Sequence, residues 1–88
     1  MNKKNEELIL YAKRSLKKNL ENYLLKISRH IDKIKMEPEN WDHKSTLVTQ
    51  NSFYQLTFKE YKQKYGVEFP DVEEKYQELI PKIEGALD

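Results

Sequence analysis

Residues 11–35 of the chain read YAKRSLKKNLENYLLKISRHIDKIK, and aliphatic side chains recur in this stretch every three or four positions. One turn of an α-helix takes about 3.6 residues, so side chains at this spacing share one helical face. The sequence therefore predicts one long helix over about residues 5–36, with Asn5 as its cap and Glu37-Pro38 as its end. The sequence leaves open whether this helix is broken near Asn19–Asn22. The predicted apolar stripe consists of Ile9, Ala12, Leu16, Leu20, Leu24, Ile27, Ile31 and Ile34.

The second half of the chain contains several signals for shorter helices. Thr57 followed by Glu60 has the pattern of a capping box, and Asp71 followed by Glu74 repeats it. Gly66 is typical of a helix C-terminus. The last helix is expected to bend or restart at Pro81, because proline removes one hydrogen bond of the helix. Its apolar residues share one face, namely Val72, Tyr76, Leu79, Ile80 and Ile83.

Residues 45–56 are ambiguous between a helix and an extended conformation. Asp42 or Ser45 could cap a helix there, and Ser, Thr, Val and Asn are indifferent helix formers. A weak hairpin that turns at Asn51-Ser52 also fits the pattern. A helix is favoured, because an isolated hairpin needs support that a chain of 88 residues barely supplies. Its inward residues would be Leu47, Val48, Asn51 and Tyr54.

The composition agrees with a small all-α bundle. Charged residues make up 35% of the chain and hydrophobic residues 38%, as expected for helices with a narrow apolar stripe. We expect residues 1–88 to form a single helical domain, in which the long N-terminal helix packs against two or three shorter helices. Abundant Lys, Asn, Ile and Tyr indicates an A/T-rich genome, such as that of a bacterium or a phage.

The sequence contains no motif that predicts catalysis or a cofactor. It lacks a glycine-rich phosphate loop, an HExxH motif, a nucleophile elbow and any cysteine. Glu37, Glu39, Asp42 and His43 carry metal-compatible atoms, but their spacing matches no metal-binding loop, and His30 is expected to be structural. We therefore predict a non-enzyme without cofactor or metal. The short apolar runs and the absence of cysteine predict a cytoplasmic protein that does not contact membranes.

The charge is divided between the two halves of the chain. Residues 1–36 carry a net charge of +6 and residues 37–88 a net charge of −5. Five basic residues of the long helix fall opposite its apolar stripe, namely Arg14, Lys18, Lys26, Arg29 and Lys33, and Tyr11 and Leu25 lie among them. A solvated face needs the basic residues but not these two apolar ones, so the face is a candidate contact surface.

Trp41, the only tryptophan, lies in the polar connection after the long helix. It is expected to fold back as a lid on the end of the bundle, although an exposed binding anchor is the alternative. Tyr61, Tyr65 and Tyr76 fit core or boundary positions. The complete set of candidate partner-binding residues is Tyr11, Arg14, Lys18, Leu25, Arg29, Lys33 and Trp41.

These features predict a non-enzymatic protein-binding module that binds or occludes a partner, of the immunity, inhibitor or adaptor type. The partner is expected to be a protein with an acidic surface, and a homodimer in which a second copy offers its own acidic helix also fits the charges. The alternative is a nucleic-acid-associated accessory protein that uses the basic face of the long helix. Nucleic acid is disfavoured, because the acidic half would weaken the attraction for phosphates.

Overall fold

The computed structural model describes the backbone of residues 3–88 and the side chains of residues 6–88. It contains three α-helices, α1 (Lys3–Met36), α2 (Trp41–Tyr65) and α3 (Pro70–Leu87), so the predicted all-α bundle with one long N-terminal helix is confirmed. Two helices follow α1, residues 45–56 are helical, and α1 runs unbroken through Asn19–Asn22. The predicted cap at Asn5 lies inside α1, and its side chain is outside the described residues.

The C-terminal two thirds of α1 bury the predicted stripe. Leu20 and Ile27 are fully buried, and Leu24, Ile31 and Ile34 are nearly so. The first part of the stripe is different, since Leu16 is half-buried, Ala12 is exposed and Ile9 is 49% exposed. The prediction that Ile9 and Ala12 belong to the core is therefore wrong.

α2 begins at a cap that the sequence analysis did not identify. Oδ1 of Asn40 accepts a hydrogen bond from the backbone N–H of Asp42 at 3.0 Å, so neither Asp42 nor Ser45 caps the helix. The predicted helix start at Thr57 is also wrong, because α2 continues through it to Tyr65. The end at Gly66 is confirmed, since this glycine has a φ of 61° and its N–H donates to the carbonyl of Lys62.

The continuity of α2 follows from the face that it packs against the core. Leu47 and Tyr54 are buried there, and Phe58 and Tyr61 pack against the same cluster at steps of three or four residues. Burial of this series favours one uninterrupted helix over a new start at Thr57. Val48, which was expected to point inward, is instead about half exposed.

α3 begins at Pro70 without a side-chain cap, so the predicted role of Asp71 as a cap is wrong. Asp71 instead forms an ion pair with Lys17 on α1. The helix continues past Pro81 to Leu87, so it does not restart there. The predicted apolar face of α3 is confirmed: Val72, Tyr76 and Ile83 are buried, and Leu79 and Ile80 are half-buried.

Contacts between the helices define how the helices run relative to one another, and the long α1 makes the bundle elongated. α1 runs antiparallel to α2, with Asn19 bonded to the hydroxyl of Tyr61, and parallel to α3, whose start lies beside Lys17. The molecule measures 56 × 18 × 16 Å, and α1 alone is about 51 Å long. The first turns of α1 therefore project beyond the start of α3. In the described part of the chain, no helix is both long enough and apolar enough to cross a membrane.

Candidate protein-binding surface

Six of the seven predicted contact residues lie on one side of α1, opposite the buried Leu20 and Ile27. We call this side the outer face of α1. Steps of three, four or seven residues place their side chains along a strip of about 33 Å. All six are exposed. The members of this outer face are Tyr11, Arg14, Lys18, Leu25, Arg29 and Lys33.

The two apolar members of the outer face are accessible to a partner. Tyr11 is 71% exposed and Leu25 is 50% exposed. Leu25 also lines a groove of about 440 Å³ between α1 and α3, together with Leu24 and Leu79. The charged residues that line the same groove are Glu21 of α1 and Lys75, Glu78 and Lys82 of α3. Leu25 therefore lies at the margin of an apolar groove whose rim is charged. An apolar centre with a polar rim is common in protein interfaces.

The basic members of the outer face take no part in ion pairs within the described residues. The four ion pairs found there are Lys17–Asp71, His43–Glu37, Lys62–Glu68 and Lys64–Glu60. The basic groups of the outer face are therefore accessible for a partner's charges.

The outer face is not purely basic. Glu21 lies three positions after Lys18, and Asp32 lies three positions after Arg29. Residues three apart are neighbours on a helix surface, so these acids reduce the positive potential around the basic side chains. The face consequently combines both charge signs with apolar groups.

Trp41 does not join the outer face of α1. It is the first residue of α2, beyond the end of α1 that is farther from Tyr11. The predicted lid is wrong, because Trp41 is 76% exposed. Nζ of Lys44, one helical turn later, lies 5.2 Å from the centroid of its ring, within the range of a cation–π contact.

The sequence analysis missed an apolar surface at the beginning of α1. Leu8, Ile9, Leu10 and Tyr11 follow one another, and each is exposed by about half or more. Successive residues of a helix point about 100° apart, so these four side chains surround the helix. On one side of this part of α1, Ile9, Ala12 and Leu16 line a groove of about 370 Å³, and Tyr65 and Val67 line it from the end of α2 and the residues that follow. The run LILY can be read in the sequence, but the sequence does not indicate that the other helices leave it exposed.

The acidic connection between α1 and α2 contains a hydrogen-bonded pair. Nε2 of His43 donates to Oε2 of Glu37 at 2.7 Å, and the amide of Asn40 lies 3.4 Å from the same oxygen. These contacts lower the pKa of Glu37, and the hydrogen bond with His43 has the largest effect on it. Among the described residues, no group of three or more His, Cys, Asp or Glu side chains is arranged to hold a metal ion.

His30 and two of the three tyrosines that were expected at core or boundary positions contribute to the bundle itself. Nδ1 of His30 donates to the carbonyl oxygen of Lys26 at 2.8 Å, in agreement with the predicted structural role. Tyr76 is buried and Tyr61 is half-buried, as expected for core and boundary positions, whereas Tyr65 is 60% exposed.

The chain was also compared with protein-family models, with curated proteins and with solved structures. None of the three comparisons finds a match.

Proposed function

We propose that this chain is a non-enzymatic protein-binding module that binds or occludes a partner protein through the outer face of α1. The observation that carries the proposal is the exposure of Tyr11 and Leu25 on a helix face whose basic residues are free of ion pairs among the described residues. Large apolar side chains gain free energy when a partner removes them from water. Tyrosine is in addition enriched among residues that dominate binding energies.

The charges of the outer face support a partner with an acidic surface. Arg14, Lys18, Arg29 and Lys33 would attract such a surface and increase the rate of encounter. Binding through this face would act by occlusion or scaffolding, as in immunity, inhibitor or adaptor proteins of bacteria and phages. A cysteine-free chain of this kind suits the cytoplasm, where we propose that it acts.

The exposed run Leu8–Tyr11 supports the same function. A helix that is apolar on all sides is normally covered on all sides. These residues lie at the projecting end of α1, directly before Arg14 and Lys18. A partner that covers both the run and the outer face would bury one continuous surface along the helix.

The proposal is tested by capturing partners from an extract of the native host. The tagged wild-type chain is compared with a double variant, Tyr11→Ala with Leu25→Ala, and with Leu56→Ala as a control at an exposed apolar residue of α2. The double variant should keep its helical content but lose the captured protein, whereas the control should retain it. Changing Arg14, Lys18, Arg29 and Lys33 to Ser should chiefly slow association. Capture of the same proteins by the double variant at wild-type yield would contradict the proposal.

The alternative is a nucleic-acid-associated accessory protein, favoured by the basic residues of the outer face that no acid pairs with in the described structure. Glu21 and Asp32 on the same side of α1 count against it, because they repel phosphates. The salt dependence of binding separates the two functions, since phosphate contacts release counterions and apolar contacts do not.

A further inference from the structure

A pocket lies at the end of the bundle where α1 ends, α2 begins and α3 ends. Its volume is about 370 Å³, which is within the range of small-molecule sites. Ile34, Pro38 and Ala86 supply apolar lining, and Gly85 leaves open space beside them. The proposed function, which rests on the outer face of α1, does not use this pocket.

Each of the three helices contributes one lysine to the lining, namely Lys35 of α1, Lys44 of α2 and Lys82 of α3. We call this site the lysine pocket. None of the three lysines forms an ion pair within the described residues. Their ammonium groups are carried on flexible four-carbon stems, so they can approach one bound group together. Like charges that line one pocket repel one another, and an anion bound among them removes this repulsion.

The acidic side chains at this end of the bundle do not neutralise the lysine pocket. Asp88 is the one acidic residue that lines it in the described part of the chain. Asp42 lies two positions before Lys44, about 200° around the helix, so it points away from the pocket. Glu84 lies two positions after Lys82 and points away for the same reason.

The helix ends change the charge of the lysine pocket only in part. The last carbonyl groups of α1 and α3 lie at this end and each amount to about half a negative charge, whereas the start of α2 adds about half a positive charge. With Asp88 included, an excess of about one to two positive charges remains from the three lysines. Glu37 lines a different groove, where it accepts a hydrogen bond from His43. The lysine pocket therefore attracts anions.

We propose that the lysine pocket binds a small organic anion that combines a carboxylate or phosphate head with a short apolar body. The head contacts the lysine ammonium groups, and the body packs against Ile34, Pro38 and Ala86. An inorganic anion would leave the apolar lining in water, and a neutral apolar molecule would leave the lysines without a counter-charge. The proposal goes beyond the proposed function, because it assigns a ligand site that is independent of the outer face of α1.

Trp41 provides a reporter for this site. It is the only tryptophan of the chain, and Nζ of Lys44 lies 5.2 Å from the centroid of its ring. An anion that draws the Lys44 ammonium group into the pocket weakens this cation–π contact. The fluorescence of Trp41 should therefore change when the ligand binds.

The first test titrates the full chain with octanoate and with octyl phosphate, which separate a carboxylate head from a phosphate head. For ligands of about ten non-hydrogen atoms we expect a saturable fluorescence change with a Kd on the order of 0.1–1 mM. 1-Octanol and acetate, which carry only the body or only the head, should bind about tenfold more weakly or worse. The backbone amide resonances of Gly85 and Ala86 should shift with the bound probe, which locates it in the pocket.

The second test uses charge variants whose effects have opposite signs. Lys35→Gln with Lys82→Gln should weaken octanoate binding about fivefold or more, because two of the three cations are lost. Asp88→Asn should strengthen binding about twofold or more, because it removes a repelling carboxylate. The control, Lys26→Gln with Lys59→Gln, removes the same charge at exposed positions outside the pocket and should change the Kd by less than about twofold. Each variant keeps Lys44, so the reporter stays intact, and far-UV circular dichroism checks the helices.

Three outcomes would overturn this proposal. One is a titration in which neither probe produces a saturable change in the fluorescence of Trp41 or in the resonances of Gly85 and Ala86. Another is binding of 1-octanol as tight as that of octanoate, which would show that the lysines take no part. The third is a double lysine variant that binds octanoate as tightly as the wild type. If neither probe binds but the double lysine variant loses a captured protein, the pocket belongs to a protein interface and the proposal is wrong.

Discussion

The hydroxyl of Tyr76 on α3 donates a hydrogen bond to Oδ1 of Asn51 on α2, with 2.6 Å between the two oxygens. The same hydroxyl accepts a hydrogen bond from Nε2 of Gln55 at 2.8 Å. The ring of Tyr54 packs against Tyr76 with 4.3 Å between their centroids, yet its own buried hydroxyl has no hydrogen-bond partner among the described residues. Two neighbouring core tyrosines thus differ in whether their hydroxyl groups form hydrogen bonds. Burial away from water also raises the pKa of the Tyr54 hydroxyl.

This difference predicts opposite effects of two equivalent substitutions. Tyr76→Phe should lower the free energy of unfolding by about 1–2 kcal/mol, because Asn51 and Gln55 lose their partner. Tyr54→Phe should leave stability unchanged or raise it by up to about 1 kcal/mol, because it removes a buried hydroxyl that lacks a hydrogen bond. Urea denaturation of both variants measures the two values. Equal losses for both variants would show that ring packing, and not hydrogen bonding, determines the effect.

The two ends of the α1 stripe should respond differently to truncation. Ile27 is fully buried, so Ile27→Ala should cost about 2–4 kcal/mol through lost burial and a residual cavity. Ile9 occupies an equivalent position on the same helix face but is about half exposed, so Ile9→Ala should cost less than about 1 kcal/mol. Urea denaturation compares them directly. A loss below about 0.5 kcal/mol for Ile27→Ala would contradict its assignment to the core.

The same contrast shows what the sequence could predict about α1. Spacing alone identified the helix and the face that carries its apolar residues, since both depend only on the helical period. Spacing could not indicate how far along this face the other helices extend. That limit depends on where along α1 the other two helices stop. α2 ends at Tyr65, and α3 begins beside Lys17 of α1, and both positions are set by tertiary packing.

The second half of the chain shows a competition between local and tertiary signals. The residues Thr57 and Glu60 match a capping box, but burial of Leu47 and Tyr54, with Phe58 packed alongside, continues the helix across it. Trp41 was expected to be covered because its neighbours are polar, yet the cap at Asn40 starts α2 in a position that leaves the ring in water. Candidate contact residues on α1 were identifiable because an apolar residue within a charged face is visible in the sequence.

The two glycines of the chain should respond to alanine with opposite signs. Gly66 has a φ of 61°, a left-handed conformation that costs other residues about 1–2 kcal/mol, so Gly66→Ala should destabilise the protein by about that amount. Gly85 lies inside α3 with open space around its Cα, so Gly85→Ala should stabilise the helix by about 0.5–1 kcal/mol. Thermal and urea unfolding of the two variants test the signs. A stabilising Gly66→Ala substitution would contradict the left-handed C-terminus of α2.

Acid should weaken two contacts that connect elements of the bundle. The hydrogen bond from His43 lowers the pKa of Glu37, and the hydrogen bond from Lys17 lowers that of Asp71. A carboxylate with a lowered pKa contributes stability above its ordinary pKa, and this contribution disappears as the pH falls through the lowered value. The melting temperature should therefore decrease in this acid range. Asp71→Asn should lower the melting temperature at neutral pH and make the acid-induced decrease smaller. Glu74→Gln, the matched change at an exposed position on the same helix, should affect both much less.

Nucleic-acid binding provides the sharpest test of how the basic face is used. Four phosphate contacts, from Arg14, Lys18, Arg29 and Lys33, would give a log–log salt slope of about −3.6 on duplex DNA. Because Glu21 and Asp32 lie among them, we expect no complex tighter than about 10 μM with mixed-sequence duplex or single strands at physiological salt. Fluorescence anisotropy with labelled oligonucleotides measures this. The control replaces the same number of basic residues elsewhere by serine, at Lys35, Lys44, Lys75 and Lys82. If wild-type chain forms a submicromolar complex that the outer-face serine variant loses and the control variant keeps, the basic face binds phosphates and the protein-binding proposal is wrong.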